Sequence, residues 1–347
     1  MEIKNKLEKI ARLAMQSVNM IYYNFKAKAY KNDSKYRDLW IISERGTEAK
    51  DNGFCFFEYL CKNHPEINAR YVIDKKAAGE DYKKLLPYED RLIEYGGSEH
   101  KIAYILASHA ISSHAGFLEP WSYRLYKLLL DRNDKKIFVF LQHGVILHDL
   151  SDFVSKEKIR ADLFITTTKR EFESISSDIY GYNDGEVVQT GIARYDKLNE
   201  FKLKNEILIM PTWRESIITP SYKKSDKRDV DLFINSEYYK RFNSLINNKR
   251  LESALKSELI LASKEEYDVQ GLLKSSKALV TDFSSIQFDF AYMRKPQVYY
   301  QFDSIEEHYK MGYFEYDRDG FGPVYDKEEE VVDYLLELME SNFEIEK

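Results

Sequence analysis

Scarcity is informative in this 347-residue sequence, which holds two cysteines, 14 glycines and 7 prolines. Cys55 and Cys61 lie six positions apart in a stretch with helical patterning. They are too few for a disulfide framework or a zinc site, and their use points to a reduced, cytoplasmic setting. The low glycine and proline content argues against large disordered segments. Positive charge is not in surplus: the formal net charge is -6 and the pI about 5.8, so nothing marks nucleic acid as a partner. No run of about 18 consecutive apolar residues occurs, which excludes a spanning helix. The N-terminus also lacks the compact apolar region and small-residue cleavage site of a secretory signal.

What is present is a globular composition, 44% apolar and 32% charged, on a chain longer than one core usually supports. Residues 1–34 read as an amphipathic helical segment. Leu7, Ile10, Ala11, Ala14, Val18 and Ile21 recur at helical spacing, with Lys4, Lys6, Lys9 and Arg12 mostly off that stripe and Lys26, Lys28 and Lys31 beyond it. Such a helix fits an anionic membrane surface, and equally a packing face on the protein's own core.

From there apolar runs alternate with amphipathic ones, an α/β pattern. "DLWIISER", "ARYVIDK", "DRLIEYGG", "AISSH", "KKIFVFLQHG", "ADLFITTT" and "GEVVQTGIARYD" read as strands of a first domain, 35–200. Helices are expected around Phe54 to Asn63 and over "SEHKIAYILASH", where Ser98 is the N-cap candidate. A second domain, 201–347, has strands in "NEILIMPTWR", "SELILAS", "SKALVTD" and "KPQVYYQF", with "KKSDKRD" as an exposed loop and a C-terminal helix. The charged "KLNEFKLK" (Lys197 to Lys204) is the candidate hinge. Two Rossmann-type domains facing a cleft are the economical architecture, with ligands beyond the carboxyl ends of the strands.

That rule makes strand ends the candidates. His143 and Gly144 end "FVFLQHG", where an imidazole can take a proton from an attacking hydroxyl at neutral pH; a histidine satisfied by interdomain hydrogen bonds fits the same position. His114 in "SSHAG" has the same local grammar, and Arg194 ends "GIAR". Arg214 in "MPTWRES" suits phosphate oxygens, or a nearby carboxylate. Arg45, Asn52 and Gly53 sit in "ERGTEAKDNG", read as a tight loop. In "VTDFSSIQFDFAYMRKP", Asp282 ends a strand and Ser284 or Ser285 caps a helix closed near Pro296. Capping explains one serine; two serines and an aspartate at a helix start make an anion site. No histidine or acidic set has metal-ligand spacing, so no metal or other cofactor is expected.

Together, "LQHGV", "GIARYD", "MPTWR", "VTDFSSIQFDFAYMRKPQVYY" and "GYFEYDRDGFGPV", following "ISERGTEAKDNG", resemble the CDP-glycerol glycerophosphotransferase family of teichoic acid primases and polymerases with capsule-synthesis relatives. The resemblance spans roughly Leu39 to Val324. It implies a GT-B-like fold, peripheral attachment at the cytoplasmic face of the membrane, and transfer of phosphoglycerol or a related phospho-alditol. The donor would be CDP-glycerol or another CDP-alditol, and the acceptor a lipid-linked or polysaccharide hydroxyl. By the same resemblance His143 is the base of the "HG" motif, Arg214 belongs to "PTWR", and Asp282, Ser284 and Ser285 match the motif associated with donor phosphates. Arg45, Asn52 and Gly53 match the "ERG" and "DNG" elements; His114, Gly144 and Arg194 remain candidate substrate contacts. Two departures stand out: "LQHGVILHD" replaces the family's "WHGTPLK", and Glu215 to Lys277 contains no histidine where relatives carry a second one. A nucleotide-sugar glycosyltransferase of the same fold and a non-catalytic membrane-surface binding protein are the alternatives.

Overall fold

A computed structural model of the chain describes residues 2–116, 118–131, 135–212, 214, 217, 227–255, 262, 268–304 and 310–344. The chain divides into two compact units, Met1–Val145 with Ser151–Arg194, and Ile146–Leu150 with Tyr195–Lys347.

The first unit is built on strands β1 (Trp40–Ser43), β2 (Ala69–Ile73), β3 (Leu92–Glu94), β4 (His109–Ser112), β5 (Ile137–Phe140), β6 (Leu163–Thr166) and β7 (Val187–Gln189). They form one parallel sheet in the order β3-β2-β1-β4-β5-β6-β7. A parallel sheet is covered on both faces, which is why these strands are short apolar runs without polar alternation. Helix α2 (Asn52–Asn63) lays Phe54, Phe57 and Leu60, spaced by three, against Ile42, Tyr71, Ile73 and Ile111 of the sheet. Strand order reverses between β1 and β4, so the connections that leave their carboxyl ends diverge to opposite faces of the sheet and leave a crevice beyond the paired strands.

Helix α1 (Glu2–Lys28) also belongs to this unit. Its docked face carries Met20, Tyr23 and Ala27, all buried. The Trp121 indole N–H donates to Asn19 Oδ1 at 3.0 Å, and the Ser122 amide to Gln16 Oε1 at 3.2 Å. Ile10, Val18 and Ile21 of the expected apolar stripe face solvent, joined by Met15, Tyr22 and Phe25. The helix thus has two apolar faces, and the stripe legible in the sequence is the undocked one. The side chains of Lys4, Lys6, Leu7 and Lys9 lie outside the described ones.

The second unit has strands β8 (Ile207–Ile209), β9 (Ala278–Thr281), β10 (Gln297–Tyr300) and β11 (Val324–Tyr325). Among the described residues they form a parallel sheet in the order β11-β10-β9-β8. Its core joins Val280, Val298 and Tyr300 to Tyr238, Phe242 and Leu245 of the helix Glu237–Ile246 and to Val331, Val332 and Leu335 of the helix Glu328–Glu340.

Local expectations are corrected at three points. Asn52 and Gly53, read as loop residues, open α2 and are buried, because the Glu44 carboxylate accepts the amides that bring the chain into the helix. Ser98 is the first helical residue of Ser98–Leu106 and not its cap, a place held by Gly97; its hydroxyl instead pairs with the Tyr23 hydroxyl of α1 at 2.8 Å. Ser285 stands at the N-cap of the helix Ile286–Tyr292 but makes no side-chain capping bond, while Ser284 Oγ accepts weakly from the Ile286 amide at 3.4 Å. The strand expected in "SELILAS", Trp213 and most of "KKSDKRD" lie outside the described residues.

Candidate active site

Seven of the candidates gather at the carboxyl ends of the first unit's central strands. Ser43 of β1 pairs with Ser112 of β4, and Ser112 with Phe140 of β5. His114 therefore follows β4 by two residues and His143 follows β5 by three, side by side at the crevice. Their rings stack, with centroids 4.7 Å apart and planes 24° from parallel.

Backbone restraint around His143 is dense. Gln142 adopts a left-handed conformation, φ 45°, a sparsely populated region for a residue with a side chain. Its amide nitrogen donates to Ile165 O at 2.7 Å and to Glu171 Oε1 at 3.1 Å. Asn52 Nδ2 donates to Gln142 O at 2.7 Å, and Asn52 Oδ1 accepts the Arg194 amide at 3.0 Å. The Arg194 guanidinium is buried, donating to Asp51 Oδ1 at 2.8 Å and to the His143 carbonyl. Asn52 and Arg194 are thus engaged in shaping the turn that carries His143.

Glu44 is fully buried and accepts the amides of Lys50 at 3.0 Å, Asp51 at 2.8 Å and Phe54 at 2.9 Å. Burial, then the neighbouring Asp51 carboxylate, push its pKa up to about 7 against the pull of those amides. Gly53 is dictated by this contact: a Cβ there would stand 2.9 Å from both Glu44 Cγ and Ser43 O. Gly144 is buried, and Arg45 is exposed with Glu48 4.0 Å away.

His143 keeps solvent access, yet the crowded strand ends desolvate it and lower its pKa. Asp51 and Glu48 oppose that fall, while Arg194 and Arg45 add to it. His114 is pushed much further down, to about 2, by burial and then by His143, Arg45 and Lys50. At neutral pH both imidazoles are uncharged, the form a general base needs.

In the second unit Arg214 and Asp282 meet at the ends of β8 and β9. Arg214 Nη2 donates to Asp282 Oδ2 and Asp303 Oδ1, each at 2.9 Å; Nε donates to Asp303 Oδ2 at 3.0 Å and Nη1 to Thr212 O at 2.7 Å. Asp282 Oδ1 also accepts the amides of Thr212 at 2.7 Å and Phe283 at 2.6 Å. The guanidinium lies over the rings of Tyr238 and Phe283, 5.0 and 5.3 Å from their centroids. Burial pulls the Arg214 pKa down, and Asp303 and Asp282 more than reverse it. Ser284 and Ser285 follow directly, both half-buried.

Sequence reasoning left out Asp51 and Asp303, and gave no role to Glu44 and Gln142, which lie at strand ends. Asp51 stood beside "NG" and Glu44 at a strand end, so both had a signal; nothing marked Asp303, 89 residues from Arg214. Among the described residues, no group of three or more His, Cys, Asp or Glu is gathered to hold a metal ion.

The family described as CDP-Glycerol:Poly(glycerophosphate) glycerophosphotransferase matches residues 23–347. The minor teichoic acid biosynthesis protein GgaB of Bacillus subtilis (strain 168) is 30% identical over 334 residues, covering 89% of this chain and 37% of that protein. A teichoic acid poly(glycerol phosphate) polymerase of the same organism is 21% identical, covering 98% of this chain and 49% of that one. The chain therefore spans between about a third and a half of these relatives' length. Among solved structures, the wall teichoic acid polymerase TagF matches with a TM-score of 0.64 at 17% identity, over 98% of this chain and 90% of that chain. At that identity the likeness speaks for the α/β, GT-B-like fold alone.

Proposed function

Since the chain belongs to the CDP-glycerol:poly(glycerophosphate) glycerophosphotransferase family, we propose that it transfers a phosphoglycerol, or a related phospho-alditol, from a CDP-linked donor to an acceptor hydroxyl in teichoic acid or capsule-type polymer synthesis. The observation that carries the reading is His143: a neutral imidazole with solvent access, on a strained and braced turn one strand from the topological switch point between β1 and β4. In the reaction the acceptor oxygen bonds to the β-phosphorus as its proton passes to His143. The bond from that phosphorus to the bridging oxygen breaks, and CMP leaves with the electron pair.

Donor phosphates are assigned to the second unit. In the first, the Glu44 carboxylate already accepts the amides of Lys50, Asp51 and Phe54 around the start of α2, and a second anion there would be repelled by it. In the second, Arg214 and the Ser284–Ser285 turn offer a guanidinium, hydroxyls and amides for the pyrophosphate. The acceptor, a lipid-linked or polysaccharide chain, then falls to the His143 side.

The reading also places the enzyme on an anionic membrane surface through α1. Its solvent-facing Ile10, Met15, Val18, Ile21 and Phe25 are flanked by the exposed Lys26, Lys28 and Lys31, the pairing of apolar stripe and positive charge that suits an interfacial helix. Among the described residues no helix is long and apolar enough to cross a membrane.

A donor screen tests the chemistry. Incubation with CDP-glycerol, CDP-ribitol and UDP- and GDP-sugars in the presence of acceptor is expected to release CMP from a CDP-alditol and no UDP or GDP. His143→Ala is expected to lower the rate about 100-fold or more, the scale of lost general-base catalysis. Release of UDP or GDP would turn the assignment to a glycosyltransferase.

A further inference from the structure

We propose that His114 is a positioning residue for His143: its ring, stacked against the base at the adjacent strand end, fixes the orientation of the His143 imidazole while His143 alone carries the reaction proton. The inference rests on the reading of His143 as the base. The geometry is that of two flat rings 4.7 Å apart and 24° from parallel, each held from behind. The His114 amide donates to Ser112 Oγ at 3.1 Å, the Ser112 hydroxyl in turn donates to His114 O at 2.8 Å, and Ser113 Oγ lies 3.0 Å from His114 Nδ1. On the other side the Gln142–His143 turn is clamped by Asn52, Arg194 and Glu171. A ring with solvent access would otherwise be free to rotate about its Cβ bonds, and a base must be aligned with the proton it takes.

The surrounding charges divide the labour. Asp51 and Glu48 favour a proton on His143, against Arg45 and Arg194. His114 is faced by His143, Arg45 and Lys50, all of which disfavour a proton there. A stacked pair cannot hold two positive charges at this separation without strong repulsion. The one proton such a pair takes up in the reaction therefore goes to His143, where Asp51 and Glu48 favour it, and His114 stays a neutral plate.

His114→Ala and His114→Phe separate the ring's shape from its chemistry. With CDP-glycerol as donor and CMP release as the readout, the alanine variant is expected to lose about 10- to 100-fold in kcat, the scale of a misplaced catalytic group, with donor KM little changed. The phenylalanine variant, which keeps a flat ring, is expected to retain most of kcat with the acid limb of its kcat/KM profile where the parent has it. An alanine variant as active as the parent overturns the proposal. So does a folded phenylalanine variant as impaired as the alanine one, or one whose acid limb moves by a pH unit, because His114 would then contribute its own proton chemistry. An imidazole-resolved NMR spectrum decides the stack without any turnover: the His143 ring protons should carry a ring-current shift that the alanine variant loses and the phenylalanine variant keeps. If the parent releases no CMP from any CDP-alditol, the functional assignment falls; absence of the ring-current shift removes the stack itself.

Discussion

At the residue scale the second unit poses the sharper electrostatic problem, because Arg214 already has carboxylate partners where the proposed function asks it to receive phosphate. Among the described residues Asp282 and Asp303 outnumber the single guanidinium they flank, a local negative balance that opposes a pyrophosphate. The two aspartates differ in what surrounds them. Asp282 is fully buried and holds two amides, whereas Asp303 is 30% exposed and among the described residues holds the arginine fork alone. Asp282→Ala leaves two buried amides and part of a buried charge unanswered, and is expected to lower the urea unfolding free energy by about 3–5 kcal/mol. Asp303→Asn, by contrast, is expected to cost less than about 1 kcal/mol while lowering the donor KM, because one negative charge leaves the path of the phosphates. A raised KM with unchanged stability would mean that Asp303 orients the arginine and does not compete with the donor.

At the scale of elements, α1 gives a direct contrast between its two faces. Val18→Asp and Phe25→Asp alter side chains that are 70% and 75% exposed, so each should shift stability by no more than about 0.5 kcal/mol. Together they should abolish co-sedimentation with vesicles containing anionic lipid, if the membrane assignment holds. Met20→Asp, on the docked face, should unfold the helix from its unit and lower the melting temperature instead. The sequence carried the helical period of α1 but not which stripe docks, since both faces are apolar and the choice is made by Trp121 and Ser122, about a hundred positions away. Strands were legible for a simpler reason: in a parallel sheet each is a bounded apolar run, and β1 to β7 fall within stretches read that way, except that β4 begins one residue early, at His109, which was read as the end of a helix. β11 escaped because two residues, Val324 and Tyr325, make no periodic signal. The start of α2 was misplaced because "DNG" has the chemistry of a turn, and only the folded chain brings Glu44 to supply the missing acceptor. The strand ends that hold His114, His143, Arg214 and Asp282 could be read in advance; their partners could not, with Arg194 lying 143 positions from Asp51.

At the scale of the molecule, His100 and Glu119 pull the first unit's stability in opposite directions as the pH changes. His100 uses both ring nitrogens in the neutral form: Nδ1 accepts the Gly96 amide at 3.0 Å, which leaves Nε2–H to donate to Leu118 O at 2.9 Å. Burial lowers its pKa to about 4, below the ordinary value near 6.5. Its contribution is therefore whole above pH of about 6.5 and is lost as pH falls toward 4. Glu119 works in the other direction. Its Oε2 has no hydrogen-bond partner among the described residues, and burial raises its pKa to about 7. Its contribution is present below the unfolded value of about 4.3 and is lost as pH rises through 7. Between about pH 4.5 and 6.5 the two slopes oppose, each with a ceiling of about 1.4 kcal/mol per pH unit. Removing one group subtracts its own slope and leaves the rest of the unit's pH response in place. Relative to the parent, His100→Gln should gain stability progressively as the pH is lowered through this window, and Glu119→Gln should lose it. Urea midpoints at pH 4.5, 5.5 and 6.5, followed by fluorescence of Trp40 and Trp121, read the difference within the first unit, with Trp213 replaced by phenylalanine to silence the second. Parallel midpoint curves for all three proteins would mean that neither group changes its protonation on folding.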